Sequence, residues 1–117
     1  MRGKRGFGEL GEEYALRLLI NCGYKILERN FKCKLGEIDI IATEKDTLVF
    51  IEVKTRWNTK YGKPEETVTQ RKLANIKRVG QYFCLNKNNL PKKLRIDVVA
   101  IEVINRTVKS ARIIKVD

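Results

Sequence analysis

The sequence predicts a single α/β domain of element order αβββαββ, with a central mixed sheet flanked by helices. Three observations lead there. At 117 residues the chain suits one hydrophobic core and is too short for two. Two segments place their apolar residues at helical spacing, and five others alternate or run apolar over strand lengths. Gly, Asn, Pro and short polar clusters punctuate the intervals.

From Phe7 to Cys22, the positions Leu10, Tyr14, Ala15, Leu18, Leu19 and Cys22 follow one helical stripe, and Gly23 is placed to end it. Tyr24 to Phe31 alternates as a strand, and the basic turn Lys32-Cys33-Lys34 leads to Gly36. Glu37 to Thr43 and Leu48 to Thr55 are two strands around the polar turn Glu44-Lys45-Asp46-Thr47, which makes them a hairpin. Arg56 to Pro64 has the Asn, Gly and Pro of a loop, with basic residues interleaved with Trp57 and Tyr61. A second helix is expected from about Glu65 to Leu85, with Val68, Leu73, Ile76, Val79, Phe83 and Cys84 on its apolar side. Asn86 to Lys93 is a basic, turn-rich connection, and Leu94 to Ile104 and Thr107 to Val116 are strands separated by Asn105-Arg106. No internal repeat or low-complexity segment is present.

Composition narrows the chemistry. Apolar residues at 43% and charged residues at 33% are those of a soluble globular protein, and no apolar run approaches the ~20 residues of a membrane span. The start MRGKRGFGELGEE lacks the apolar stretch of a secretory signal, so a cytoplasmic location is expected. Three dispersed cysteines and no histidine exclude both a histidine base and a Cys/His zinc site; free buried thiols are the expected state. Catalysis would have to come from carboxylates, lysines and a bound metal. With 25 Lys+Arg against 14 Asp+Glu, the net charge of +11 favours a polyanionic partner, nucleic acid first. Solubility or an anionic membrane are the plainer uses of such charge, but no lipidation motif or strongly amphipathic basic helix supports a membrane.

The hairpin carries the charges that need explaining. Glu37, Asp39, Glu52 and Lys54 interrupt strands otherwise built from Ile38, Ile40, Ile41, Val49, Ile51 and Val53. A two-residue turn at Lys45-Asp46 pairs Glu44 with Thr47, and every further step outward sets Asp39 opposite Glu52 and Glu37 opposite Lys54. Two carboxylates facing across a ladder, ~5 Å apart at Cβ, repel unless they share a proton or a divalent cation. Convergent hard oxygens suit Mg²⁺ or Mn²⁺, and a lysine beside them can orient a water and offset phosphate charge. The plainer readings are an exposed Glu-x-Lys pair, or a structural network of Glu37 with Lys54 and of Asp39 with an arginine.

Asp39 followed by Glu52-Val53-Lys54 resembles the Asp…(Asp/Glu)-x-Lys signature of the PD-(D/E)XK nuclease superfamily, whose core order αβββαβ matches these elements. More closely, the chain resembles the bacterial YraN-like family, which is similar to archaeal Holliday junction resolvases. Gly11-Glu12-Glu13-Tyr14-Ala15, Gly36-Glu37-Ile38-Asp39, Phe50-Ile51-Glu52-Val53-Lys54-Thr55-Arg56, and Val68-Thr69 with Lys72 carry that resemblance over nearly the full length. It implies a restriction-endonuclease-like fold and a Mg²⁺- or Mn²⁺-dependent endonuclease acting on DNA, branched or junction DNA included. Asp39 and Glu52 would be metal ligands, Lys54 the catalytic lysine and Glu12 a third acidic residue of the site. Glu13 is turned ~100° from Glu12, so only one of them points inward. Asp39 lacks the preceding proline of the superfamily name.

Around this set, Glu37 is expected to support Lys54, and Gln70 to accompany Lys72. Arg56, Lys60, Lys63 and Lys72 are the expected phosphate contacts. Arg71, Lys77 and Arg78 read either as part of that surface or as a solvated helix face. Trp57 and Tyr61 suit base stacking or packing over a sheet edge. Asp97 is read as a salt-bridge partner to a neighbouring strand. A homodimer would suit symmetric cutting of a junction. The competing function is a nucleic-acid-binding module, or a partner-dependent subunit, that keeps the fold without cutting.

Overall fold

The computed structural model describes residues 3–57 and 68–116, with residues 3–10 described by backbone alone. The order is α1 (Gly3–Asn21), β1 (Lys25–Cys33), β2 (Gly36–Glu44), β3 (Thr47–Arg56), α2 (Gln70–Cys84), β4 (Lys93–Ile104) and β5 (Thr107–Lys115). The five strands form one sheet in chain order. β1, β2 and β3 pair antiparallel, β3 and β4 parallel, and β4 and β5 antiparallel, so the sheet is mixed as expected. The parallel step follows from α2, because a chain that passes through a helix between two strands returns to run the second in the same direction. No helix among the described residues is long and apolar enough to cross a membrane.

Each helix covers one face. Ala15, Leu16 and Leu19 of α1 pack with Ile40, Ala42, Val49, Ile51, Val99, Ile101 and Val103. On the other face Ile76, Val79 and Phe83 of α2 pack with Ile38, Ile41, Leu48, Phe50 and Ile96. The α1 stripe differs from the expected one: Tyr14 is 41% exposed and Cys22 lies at the surface. The reason is Gly11, whose missing side chain lets α1 settle on Thr55 of β3; a Cβ there would collide with Thr55 Oγ1. That contact turns the Gly11, Ala15, Leu19 row inward. All three cysteines are free, but none is fully buried, and Cys33 and Cys84 only flank the α2-side core.

Both tight turns obey backbone chemistry. Glu44 pairs with Thr47 across Lys45-Asp46, with Lys45 left-handed at φ 56. Ile104 pairs with Thr107 across Asn105 and Arg106, both at positive φ (52 and 64), as a two-residue turn matching the strand twist requires. α2 starts at Gln70 rather than Glu65. Thr69 is extended (φ −94, ψ 167) and its hydroxyl accepts the Lys72 N–H at 3.1 Å, a cap that stops the helix from running further back. Residues 65–67 lie outside the described part.

Gly80 separates helix propensity from packing. Alanine at a helix interior gains about 1 kcal/mol over glycine, but a Cβ at Gly80 would overlap the buried Phe50 ring. Overpacking of a filled core costs about 1–3 kcal/mol. Gly80→Ala is therefore expected to lower stability in urea unfolding, and a rise in stability would show that Phe50 has room to move.

Candidate active site

The hairpin register is the one the turn predicts. Ile40 pairs with Ile51, Ile41 with Phe50, Ala42 with Val49 and Thr43 with Leu48. The ladder then ends one step before Asp39 and Glu52. Instead of joining it, Asp39 turns its side chain toward β3, and Oδ2 accepts the Val53 N–H at 2.8 Å. A strand N–H points within the plane of its sheet, so the Asp39 carboxylate sits in the opening between β2 and β3.

Glu52 points to the α2 face, alternating with Ile51 and Val53, which pack on the α1 side. It is 6% exposed. Lys54 Nζ lies 3.6 Å and Lys72 Nζ 3.3 Å from the same Glu52 Oε2, the first two residues along β3 and the second reaching down from the first turn of α2. Asp39, by contrast, makes no ion pair with any Lys or Arg among the described residues, and it accepts its hydrogen bond from a backbone N–H. Burial and then the Glu52 charge push its carboxyl up to about 7, against the Val53 hydrogen bond, with Glu12 and Glu37 adding to the rise.

Glu12 comes from α1, half-buried next to Gly11. Burial raises its carboxyl, and the Arg29 charge and the Asn30 amide pull it back. Oriented to satisfy both groups, the Asn30 amide donates to Oε1 and Oε2 of Glu12 at 3.3 Å each. Glu13 points elsewhere, to an exposed ion pair with Arg29 at 2.9 Å. One of the two adjacent glutamates thus faces the carboxylates, as helical geometry requires.

The remaining expected residues divide. Glu37 faces Lys32 across β1–β2 at 3.9 Å and forms no ion pair with Lys54, because the opening at Asp39 ends the register that would align them. Gln70 lines a cleft with Leu73, Ala74, Lys77 and Val116, away from the one that Lys72 shares with Thr69, Arg71, Asn75 and Arg78. Successive residues at the helix start face different sides, so Gln70 does not accompany Lys72. Arg56 lies at the end of β3, half-buried, paired along the backbone with Glu102. Lys60, Tyr61 and Lys63 lie outside the described residues. No group of three or more Asp, Glu or Cys side chains gathers closely enough to hold a metal ion among the described residues. Of the other two expected ligands, Glu52 acts more strongly on Asp39 and Glu12 more weakly, both through their charge.

Two carboxylates still fit a hard cation. Mg²⁺ commonly takes one or two carboxylates and fills its remaining positions with water and substrate phosphate oxygens. Asp39 has the matching electrostatics, a largely buried carboxylate whose ionisation its neighbours oppose.

Asp97 forms a separate cluster on the α1 face. It is fully buried and takes two hydrogen bonds from Arg95 on its own strand, at 2.7 and 2.9 Å, and one from the Tyr24 hydroxyl at 2.6 Å. Arg95 also reaches Glu44 at 2.7 Å. The partner is thus a residue two positions away on the same strand, with Glu44 and Tyr24 completing the network across the sheet.

Residues 11–101 match the family model described as uncharacterised protein family UPF0102. The chain belongs to the UPF0102 family. This is the YraN-like family that the sequence motifs resemble. Among similar UPF0102 proteins, one from Caldicellulosiruptor saccharolyticus is 49% identical over 98 residues, covering 84% of this chain and 83% of that protein. One from Clostridium botulinum is 50% identical over 107 residues, covering 91% and 85%. A third, from Moorella thermoacetica, is 43% identical over 98 residues, covering 84% and 82%. The UPF0102 match contains Glu12, Asp39, Glu52, Lys54 and Lys72 within its span.

Proposed function

We propose that the chain is a Mg²⁺- or Mn²⁺-dependent endonuclease of the PD-(D/E)XK type that hydrolyses phosphodiester bonds in DNA, with branched DNA as the preferred substrate. The observation that carries this reading is the contrast between neighbours. Glu52 is held by two lysines, whereas Asp39, in the opening beside it, has no counter-cation among the described residues. A buried charge left in that state is costly unless a cation joins it.

Asp39 and Glu52 would hold the ion. When bound, the ion polarises the phosphoryl group and lowers the pKa of an attacking water. Lys54, which lies 3.6 Å from Glu52 Oε2, would orient that water and offset charge on the phosphate. Lys72, drawn to the same carboxylate oxygen, brings the cationic face of α2 to the site. Arg71 and Arg78 line the adjoining cleft, and with the net charge of +11 they supply phosphate contacts that salt would weaken. The cytoplasm is the location we infer with this role.

The test is cleavage of labelled linear, single-stranded, flap and four-way-junction DNA with Mg²⁺ or Mn²⁺. Glu52→Ala and Lys54→Ala are expected to lose about 10²–10⁴-fold in rate. If wild type and variants bind DNA in a salt-dependent way but none cuts, a non-catalytic binding module replaces the nuclease.

A further inference from the structure

Between β1 and β2 the pairs Glu28–Ile41, Arg29–Ile40, Phe31–Ile38, Lys32–Glu37 and Cys33–Gly36 share one register. The missing pair is Asn30 with Asp39. Asn30 is the only residue within β1 at positive φ, 52 degrees. Left-handed backbone is rare inside a strand, and Asn is among the few side chains that tolerate it. The effect on both strands is visible in the packing. Ile40 belongs to the α1-side core, yet Ile38, two residues away, belongs to the α2-side core with Phe31 beside it. Ordinary alternation would put Ile38 and Ile40 on one face. The break therefore falls at Asn30 and Asp39 together, and it coincides with the end of the β2–β3 ladder and the turn of Asp39 toward Val53. At the same position the Asn30 amide reaches both oxygens of Glu12.

We propose that Asn30 is a positioning residue of the carboxylate site: its left-handed backbone opens the β1–β2 ladder at Asp39, and its side-chain amide holds Glu12 toward that opening. The catalytic part of this role rests on the nuclease reading; the positioning itself does not. Two devices meet in one residue because only a short amide side chain both accepts the left-handed backbone and donates two N–H bonds. A leucine or valine in the strand would close the ladder and draw Asp39 into ordinary pairing. Aspartate would keep the backbone but face Glu12 with a like charge.

Asn30→Gly isolates the amide, since glycine keeps the left-handed backbone. The Asn30 side-chain NH₂ resonances of the wild type are expected to shift when Glu12→Gln removes the charge they face. Asn30→Gly is expected to keep the wild-type melting temperature within a few degrees while lowering kcat on cut DNA about 10-fold or more, the scale of an orienting contact around a metal site. KM for DNA should change by less than about 2-fold, because the lost contact acts at the reacting centre and not on substrate binding. Asn30→Val should lose both devices and weaken Mn²⁺ binding as well. Wild-type kcat in Asn30→Gly, or NH₂ resonances indifferent to Glu12→Gln, overturns the proposal. If the wild type cuts no DNA, the nuclease reading fails, and the resonances alone decide the positioning: a response to Glu12→Gln upholds it and indifference removes it.

Discussion

Asp39→Asn is expected to stabilise the metal-free protein at pH 8 and to abolish the proposed cleavage of DNA. A carboxyl pushed up to about 7 in the fold keeps a proton that the unfolded chain releases at about pH 4. Between those values the folded state binds more protons than the unfolded state, so stability falls as pH rises. The cost is absent below the unfolded value and complete above pH 7. At about 1.4 kcal/mol for each pH unit separating the two values, the penalty at pH 8 is on the order of 4 kcal/mol. Asparagine retains an oxygen for the Val53 N–H and carries no charge, so it removes the penalty. For a domain of this size that is roughly 10 °C in melting temperature. Added Mn²⁺ should raise the melting temperature of the wild type at pH 8 and leave the Asp39→Asn protein unchanged. Thermal melts from pH 4 to 8, with and without Mn²⁺, check both halves. Equal pH profiles for wild type and variant would mean that Asp39 carries no such penalty, and the metal reading would lose its main support. Stability gained where activity is lost is the usual mark of a functional site.

The second large effect is expected at Asp97. Its carboxylate is fully buried and receives the Arg95 fork and the Tyr24 hydroxyl. Burial and that carboxylate push the Tyr24 phenol well above its ordinary range, and the same carboxylate keeps Arg95 firmly protonated. Asp97→Ala leaves a mostly buried guanidinium with the Glu44 carboxylate and the neutral Tyr24 hydroxyl, and that hydroxyl without its acceptor. Breaking a buried ion pair by removing one partner costs about 3–5 kcal/mol, a large share of the stability of any small domain. Tyr24→Phe removes a hydroxyl that donates to Asp97 and accepts from Arg95, and should cost about 1–3 kcal/mol. Urea unfolding at pH 7 should therefore rank wild type above Tyr24→Phe and Tyr24→Phe above Asp97→Ala. An Asp97→Ala protein within about 1 kcal/mol of wild type would show that the network is dispensable, because neighbouring apolar groups repack around it.

Much of the fold is legible in the residues alone. Local signals suffice for it: alternation in LVFIEV, the two-residue turns at Lys45-Asp46 and Asn105-Arg106, and the apolar row through Ile76, Val79 and Phe83 in α2. The hairpin register follows from turn length, which is why counting brings Asp39 and Glu52 together. That only one of Glu12 and Glu13 turns inward likewise rests on helix geometry, whereas the choice of Glu12 comes with the family resemblance. The departures share one cause, the premise that strands and helical stripes continue regularly. Extending the β2–β3 ladder sets Glu37 beside Lys54, but the ladder ends before it. A regular stripe sets Tyr14 inside, but it ignores how closely Gly11 approaches Thr55. An asparagine inside a strand is the one hint of the break at Asn30, since Asn is depleted there.

By itself, then, the sequence determined the order of elements, the turns, the pairing of β2 with β3 and the identity of the charged set, because those depend on residues within a few positions of one another. Only the tertiary structure decided that the ladder opens at Asn30 and Asp39, that Lys72 descends from α2 onto Glu52, and that Arg95 and Tyr24 enclose Asp97. Apart from the Arg95–Asp97 pair within β4, those contacts join residues from different elements. They exist because two helices packed on opposite faces of one sheet bring distant side chains within reach, and the desolvated carboxylates there must take whatever partners that packing supplies.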